Sequence, residues 1–381
     1  MFSKNFKFQN FKKSKIFLKV KKDLKILLKE NNQIICSLQP TYKNKYNLKK
    51  ILKLKNKLKL RIIGIGGSIL GAKAIYNFLP VKKNILFIDD LSSKLSLKKK
   101  NCLNLIISKS GNTMETIVNS NLLISKKDKN IFITENKKSY LYKLAKKLNS
   151  EIIEHNNFIG GRYSVLSEVG MLPAELMGLN PNKFRQLNNL IKNKKFINAL
   201  ISNVSSILSY SRNKKFNSII INYDPNLSDF LEWYKQLVSE SLGKKGKGIL
   251  PIISNMPKDN HSTMQLYLDG SKKNFFTFFF SKDNQLNKII QNDIFDNYEF
   301  LKNKTINQIM YSQKLATEKV FNKKKIPFRS FEIQKINEKT LGELFCFFIL
   351  ETILIGKSLN VNPYDQPSVE LIKKETKRLL I

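Results

Sequence analysis

Short apolar runs alternate along this chain with longer stretches whose apolar residues recur at helical spacing. In the first half, "RIIGIGG" from Arg61, "NILFID" from Asn84, "LNLIISKS" from Leu103 and "NIFITE" from Asn130 read as buried strands, with helices over residues 116–127 and 139–148. In the second half, "SIIINY" from Ser218, "GILPIIS" from Gly248 and "NFFTFFFS" from Asn274 repeat the theme, with helices over residues 228–242 and 341–355. Residues 171–200 read as helical and carry the boundary between the halves. Residues 366–381 read as a final helix with Pro367 in its first turn. Strands alternating with helices predict an α/β protein whose parallel sheets are covered on both faces, with ligands at the carboxyl ends of the strands.

Length and composition narrow the class. A chain of 381 residues with 42% hydrophobic and 10% aromatic residues has enough apolar surface for about two ordinary domains. The apolar run "LFCFFIL" from Leu344 meets Glu351 too soon to span a bilayer, which needs about 20 residues. Cys36, Cys102 and Cys346 are far apart, which argues against a zinc site or a disulfide framework and for a reducing, cytoplasmic compartment. The formal charge of +39 invites a nucleic-acid reading, but of 68 basic residues only Arg61, Arg162, Arg185, Arg212, Arg329 and Arg378 are arginine. Nucleic-acid readers rely on clustered Arg, whereas here Lys is spread throughout, so no specific nucleic-acid partner is expected. The first 22 residues carry no acidic residue and no arginine, and they read as an amphipathic helical extension rather than a targeting segment.

Candidate chemistry lies in the turns. "RIIGIGGSILGAK", from Arg61 to Lys73, looks like an anion-holding loop, but its glycines match neither G-x-G-x-x-G nor a P-loop. "SKSGNTMET" surrounds a helix start with the hydroxyls of Ser108, Ser110, Thr113 and Thr116, which suit a phosphoryl group; a capping box of Asn112 and Glu115 reads the same residues structurally. Gln236 and Glu240 are four apart, on the polar side of a helix that ends at Gly243. Glu240 becomes a candidate base only if a cleft covers that side, and a solvated polar face is the plain alternative. Arg162 in "GGRYS" can hold an oxyanion or make an ordinary ion pair. The chain has two histidines. His261 lies before a helix start, and His155 reads as structural. Gln366 and Lys373, seven apart, fall on one face of the last helix or on a solvated stripe.

Six blocks, "GIGGSILG", "SKSGNTMET", "GGRYSVLS", "QLVSESLGK", "DNHSTMQL" and "NPYDQPSVELIK", resemble in their order the successive motifs of the glucose-6-phosphate isomerase family, over about residues 61–373. The resemblance implies two sugar-isomerase-type α/β/α sandwich domains with parallel sheets, over residues 51–180 and 181–345. A helical N-terminal extension over residues 1–50 and C-terminal helices over 346–381, completing the active site, flank them. It also implies a cofactor-free, metal-free aldose–ketose isomerisation. Glu240 matches the family's base, Arg162 the group that steadies the enediolate, and His261 with Lys373 the pair that opens the sugar ring. Gly67, Ser68, Ser108, Lys109, Ser110, Thr113, Thr116, Gln236 and Gln366 match substrate-binding positions. Ser110 and Ser368 stand where threonine and glycine are common in the family. A homodimer is implied, with His261 contributed across the interface. Two rival expectations are an isomerase that also accepts mannose 6-phosphate and a non-catalytic sugar-phosphate-binding regulator.

Overall fold

The computed structural model describes residues 3–11, 17–30, 32–54, 59–91, 102–283, 288–290 and 296–381. These form strands β1 (Phe6–Gln9), β2 (Lys59–Ile63), β3 (Ile85–Ile88), β4 (Cys102–Ile107), β5 (Lys129–Thr134), β6 (Glu151–Glu154), β7 (Asn217–Asn222), β8 (Leu250–Asn255), β9 (Asn274–Ser281) and β10 (Phe328–Ile333). One sheet has the order β3-β2-β4-β5-β6 and is parallel throughout. The other has the order β1-β10-β9-β7-β8, parallel from β10 to β8 with β1 antiparallel at the edge. All six residues of β4 and all eight of β9 are buried, which is why these strands read as continuous apolar runs rather than as alternating ones. Among the described residues no helix is long and apolar enough to cross a membrane.

The N-terminal segment departs from the expected helical extension. Phe6–Gln9 pair with β10, with Phe6 opposite Ile333 and Phe8 opposite Phe331, before a helix runs over Leu18–Lys29. The alternation in "FKFQ", with Phe6 buried and Lys7 and Gln9 exposed, is an edge-strand pattern, but its meaning depends on a partner more than 300 residues away. The region expected to be helical over 171–200 is broken into helices over Glu168–Met177, Pro181–Phe184 and Leu187–Ile191, followed by a long helix over Lys194–Arg212. Gly178, at φ +94°, ends the first, and Pro181 opens the second. The Glu338–Ser358 helix runs unbroken through residue 346, so the expected boundary at 345/346 falls inside one element.

In each sheet the strand order reverses beside its first parallel strand, between β2 and β4 and between β7 and β9. The crevice at the first reversal collects the loops after β2 and β4, as expected for an open α/β sheet. The Ser228–Leu242 helix, which follows β7, packs on the Leu70–Phe78 helix that follows β2 and on the Glu338–Ser358 helix. This contact carries residues of the second sheet's crossover to the mouth of the first sheet.

Behind it lies a buried ion pair between Arg329 on β10 and Glu351. Arg329 Nε donates to Thr277 Oγ1 at 2.9 Å, Nη1 to Asn203 Oδ1 at 2.8 Å, and Nη2 to Glu351 Oε1 at 3.3 Å. Asn203 Nδ2 also donates to Glu351. The pair therefore ties β9 and β10 to two of the helices covering them. Removing one member strands the other charge in the core, at a cost of about 3–5 kcal/mol. Glu351→Leu is accordingly expected to lower the urea unfolding midpoint sharply; a midpoint equal to that of the wild type would deny the pair this role.

Candidate active site

The two loops at the β2–β4 reversal have different jobs. In the first, Gly66 has φ +55°, and a Cβ there would lie 2.7 Å from Gln236 Nε2; a Cβ on Gly67 would lie 2.2 Å from the Gly161 carbonyl carbon. Glycine thus lets this loop touch both the Glu240 helix and the turn that carries Arg162. Ser68 closes the loop, half-buried, just before the Leu70–Phe78 helix. In the second loop, Ser108 Oγ accepts from Gly111 N at 3.2 Å and lies 2.9 Å from Thr113 Oγ1, while Ser110 Oγ accepts from Asn112 N at 3.2 Å. Thr116 Oγ1 is buried without a partner among the described residues.

The capping box that the residues offered as a structural alternative does not form. The helix over Met114–Leu123 has Thr113 at its N-cap with no side-chain cap bond, and Glu115 is its second residue. Asn112 Oδ1 instead accepts from Tyr140 N at 2.9 Å, because the start of the neighbouring Tyr140–Lys147 helix lies beside this loop. The N–H groups of the first turn therefore remain uncapped by a side chain, beside several hydroxyls, which is an anion-binding arrangement. Lys109 donates to Asn157 O at 2.8 Å and lies 3.8 Å from Glu135 Oε1. Burial lowers its pKa below the ordinary lysine range; Glu135 opposes this, and the Lys137 and Arg162 charges add to it.

Arg162, 1% exposed, joins the remaining parts. Its Nε donates to Ser241 Oγ at 2.8 Å, Nη1 to Glu240 Oε2 at 3.1 Å and to Gln366 Oε1, and Nη2 to the carbonyls of Pro363 at 2.8 Å and Asp365 at 3.0 Å. Trp233 Nε1 holds the Arg162 carbonyl at 3.1 Å, and Gln236 Nε2 donates to Glu240 Oε1 at 2.8 Å. Gln236 Oε1 is buried without a partner among the described residues. A half-covered carboxylate thus faces a buried cation beside a glycine–serine loop. That combination can move a proton next to a carbonyl and stabilise the oxyanion that results.

The family model for phosphoglucose isomerase matches residues 50–380. The chain belongs to the phosphoglucose isomerase family. A glucose-6-phosphate isomerase of Methanocaldococcus jannaschii is 36% identical over 358 residues, covering 88% of this chain and 87% of that protein. Among solved structures, a hypothetical protein from Thermus thermophilus superposes with a TM-score of 0.82 at 22% identity, covering 95% of this chain and 94% of that one. A glucose-6-phosphate isomerase from Chlamydia trachomatis superposes at 0.71 with 19% identity, covering 91% of this chain and 78% of that one. At these identities the superpositions speak for the fold, which is of the sugar-isomerase type.

Two positions matched from the family motifs lie apart from this cluster. His261 is exposed at the end of a short 3₁₀ turn, Lys258–His261. Lys373 is exposed on the Val369–Leu379 helix and pairs with Glu370 at 2.6 Å. Gln366 and Lys373 do not share a helix, because Arg162 pins Pro363, Asp365 and Gln366 in a turn and the helix starts only after Ser368. Sequence reasoning missed Ser241, Tyr163 and the carbonyls of Pro363 and Asp365. Ser241 directly follows Glu240, but only the tertiary approach of Arg162 gives it a task.

His155 has the structural role expected of it. It is 1% exposed, with Nδ1 at 3.1 Å from Asn156 O, and burial drives its pKa down to about 4, with the Lys109 charge also lowering it. The unfolded chain takes up this proton near the ordinary value of about 6.5. Between those values the unfolded state binds more protons, so stability falls as the pH falls, by about 3 kcal/mol at most. The urea midpoint should decline from about pH 6.5 towards pH 4 more steeply in the wild type than in His155→Gln; parallel profiles would show that His155 is not the group responsible.

Proposed function

We propose that this protein interconverts glucose 6-phosphate and fructose 6-phosphate, in glycolysis and gluconeogenesis, by moving a proton between C2 and C1 through an enediolate. The observation that carries the reading is the Glu240 carboxylate held between Arg162 and Gln236 at the mouth of the first sheet. Glu240 removes the C2 proton of the open-chain aldose and returns it to C1. Electron density moves onto O1, where the buried guanidinium of Arg162 offers charge that matters only as the enediolate forms, and the hydroxyl proton passes from O2 to O1 so that C2 becomes the carbonyl as C1 is protonated. The phosphate takes no part in bond making. Bound by Ser68, Ser108, Ser110, Thr113 and Thr116 at the helix start, it holds C1 and C2 against Glu240. Lys109, engaged with Asn157 and Glu135, adds positive charge behind that loop.

His261 and Lys373 open the pyranose ring in this proposal, and neither reaches Glu240 through a contact within the chain. A homodimer supplies the missing geometry, with His261 entering the neighbouring subunit's site. The Val369–Leu379 helix supports that assembly, since it has no buried residue and leaves Leu371 68% and Ile372 69% exposed. A cytoplasmic location accords with the scattered cysteines.

Conversion of fructose 6-phosphate to glucose 6-phosphate by the purified protein, without added metal, tests the reading. Glu240→Gln should keep binding sugar phosphate while turnover falls by at least about 10²-fold; turnover close to that of the wild type would remove Glu240 as the base. His261→Ala should slow reaction of cyclic substrate more than that of open-chain substrate, and equal losses with the two forms would count against ring opening by this residue.

A further inference from the structure

Ser241 stands next to the base in sequence and is fully buried, and the family resemblance gives it no role. The hydrogen count around it fixes what its hydroxyl does. Tyr163 Oη lies 2.8 Å from Ser241 Oγ and 3.0 Å from Pro363 O. Pro363 O can only accept, so the single Tyr163 hydrogen goes there. The single Ser241 hydrogen then goes to Tyr163 Oη, and a Ser241 lone pair receives Arg162 Nε–H. The chain of hydrogen bonds runs in one direction, from Arg162 through Ser241 and Tyr163 to the Pro363 carbonyl. Burial holds the Tyr163 pKa above its ordinary value, which keeps that phenol a donor.

The same count shows what these bonds leave to the guanidinium. Arg162 has five N–H groups. Nε is committed to Ser241 and both Nη2 hydrogens to the Pro363 and Asp365 carbonyls, all fixed partners. The two Nη1 hydrogens go to Glu240 and Gln366, side chains that can turn towards a ligand. Nη1 is therefore the edge of the cation that an enediolate oxygen can claim. Its direction is set by the opposite, buried edge.

We propose that Ser241 is a positioning residue for the isomerisation: its hydroxyl clamps Arg162 Nε to the helix that carries Glu240 and so aims Nη1 at the reacting oxygens. This rests on the isomerase reading above. The clamp ties cation and base to adjacent residues of one rigid element, so their separation does not depend on loop motion. Losing it leaves substrate binding through the phosphate loop intact and lets the guanidinium tilt, which weakens transition-state stabilisation selectively.

Steady-state kinetics on fructose 6-phosphate and glucose 6-phosphate test this with Ser241→Ala, Tyr163→Phe and Arg162→Lys. Wild-type turnover must be present; its absence sinks the isomerase reading and this inference with it. With the wild type active, Ser241→Ala should lose about 10- to 100-fold in kcat, the scale of a hydrogen bond to a charged group, with KM changed less than about threefold. Tyr163→Phe should lose less, because Ser241 Oγ can still accept from Nε. In an Arg162→Lys background, which has no Nε–H, Ser241→Ala should cost less than about twofold more. A normal kcat in Ser241→Ala, a loss confined to KM, or a loss that stays multiplicative in the Arg162→Lys background would overturn the positioning role while leaving the isomerase reading in place. A Ser241→Ala protein too unstable to assay would overturn it as well if Tyr163→Phe, with a wild-type melting temperature, left kcat and its pH profile unchanged.

Discussion

The guanidinium of Arg162 is the constraint around which the site is organised. A buried cation is tolerable only when its donors are met, and each N–H of Arg162 finds an oxygen. Those oxygens come from separate stretches of chain. Glu240 and Ser241 lie on the helix after β7, and Pro363, Asp365 and Gln366 on the turn before the last helix, while Arg162 itself lies on the turn after β6. One side chain thus draws the Glu240 carboxylate, the Gln366 amide and a turn of the chain to a single point, and the energetic penalty of leaving any donor unmet keeps them there.

Close backbone approach makes this convergence geometrically available. A side chain at Gly67 would collide with Gly161 and Arg162, and one at Gly66 with Gln236. The loop after β2 can therefore sit against both the Arg162 turn and the Glu240 helix. The reversal of strand order at β2 and β4 opens a crevice beside the hydroxyl-rich loop that follows β4. Deeper in, the Arg329–Glu351 pair and its partners Asn203 and Thr277 hold the second sheet to its helices, and Tyr234, on the Glu240 helix, lies against the same network. The helix that carries Glu240 is thus anchored to the core on one side and to Arg162 on the other.

Much of this architecture is legible in the amino-acid sequence. The parallel strands declared themselves as apolar runs because both of their faces are covered, and the helices over 228–242 and 341–355 as periodic stretches. The clustering of hydroxyls in the turn after β4 could be read from its residues, and the meeting of Gln236 with Glu240 from their spacing of four. The departures from what local sequence suggests share one physical origin. Phe6–Gln9 becomes a strand through β10, Asn112 bonds Tyr140 rather than its own helix, and the last helix is delayed past Ser368 by Arg162. In each case a partner distant in sequence outweighs the local preference of a short segment.

The amino-acid sequence by itself determined the α/β class, the loops able to hold an anion, and the residue types on which a proton transfer could be built, because these depend on local period, turn chemistry and side-chain functional groups. Tertiary structure alone decided which candidates meet. It placed Arg162 against Glu240, Gln366 and Ser241, left His261 and Lys373 at the surface of the chain, and turned His155 into a neutral core residue. The reason is that desolvation and hydrogen-bond satisfaction are properties of a shared interior, and a linear pattern carries no information about which distant groups must share it.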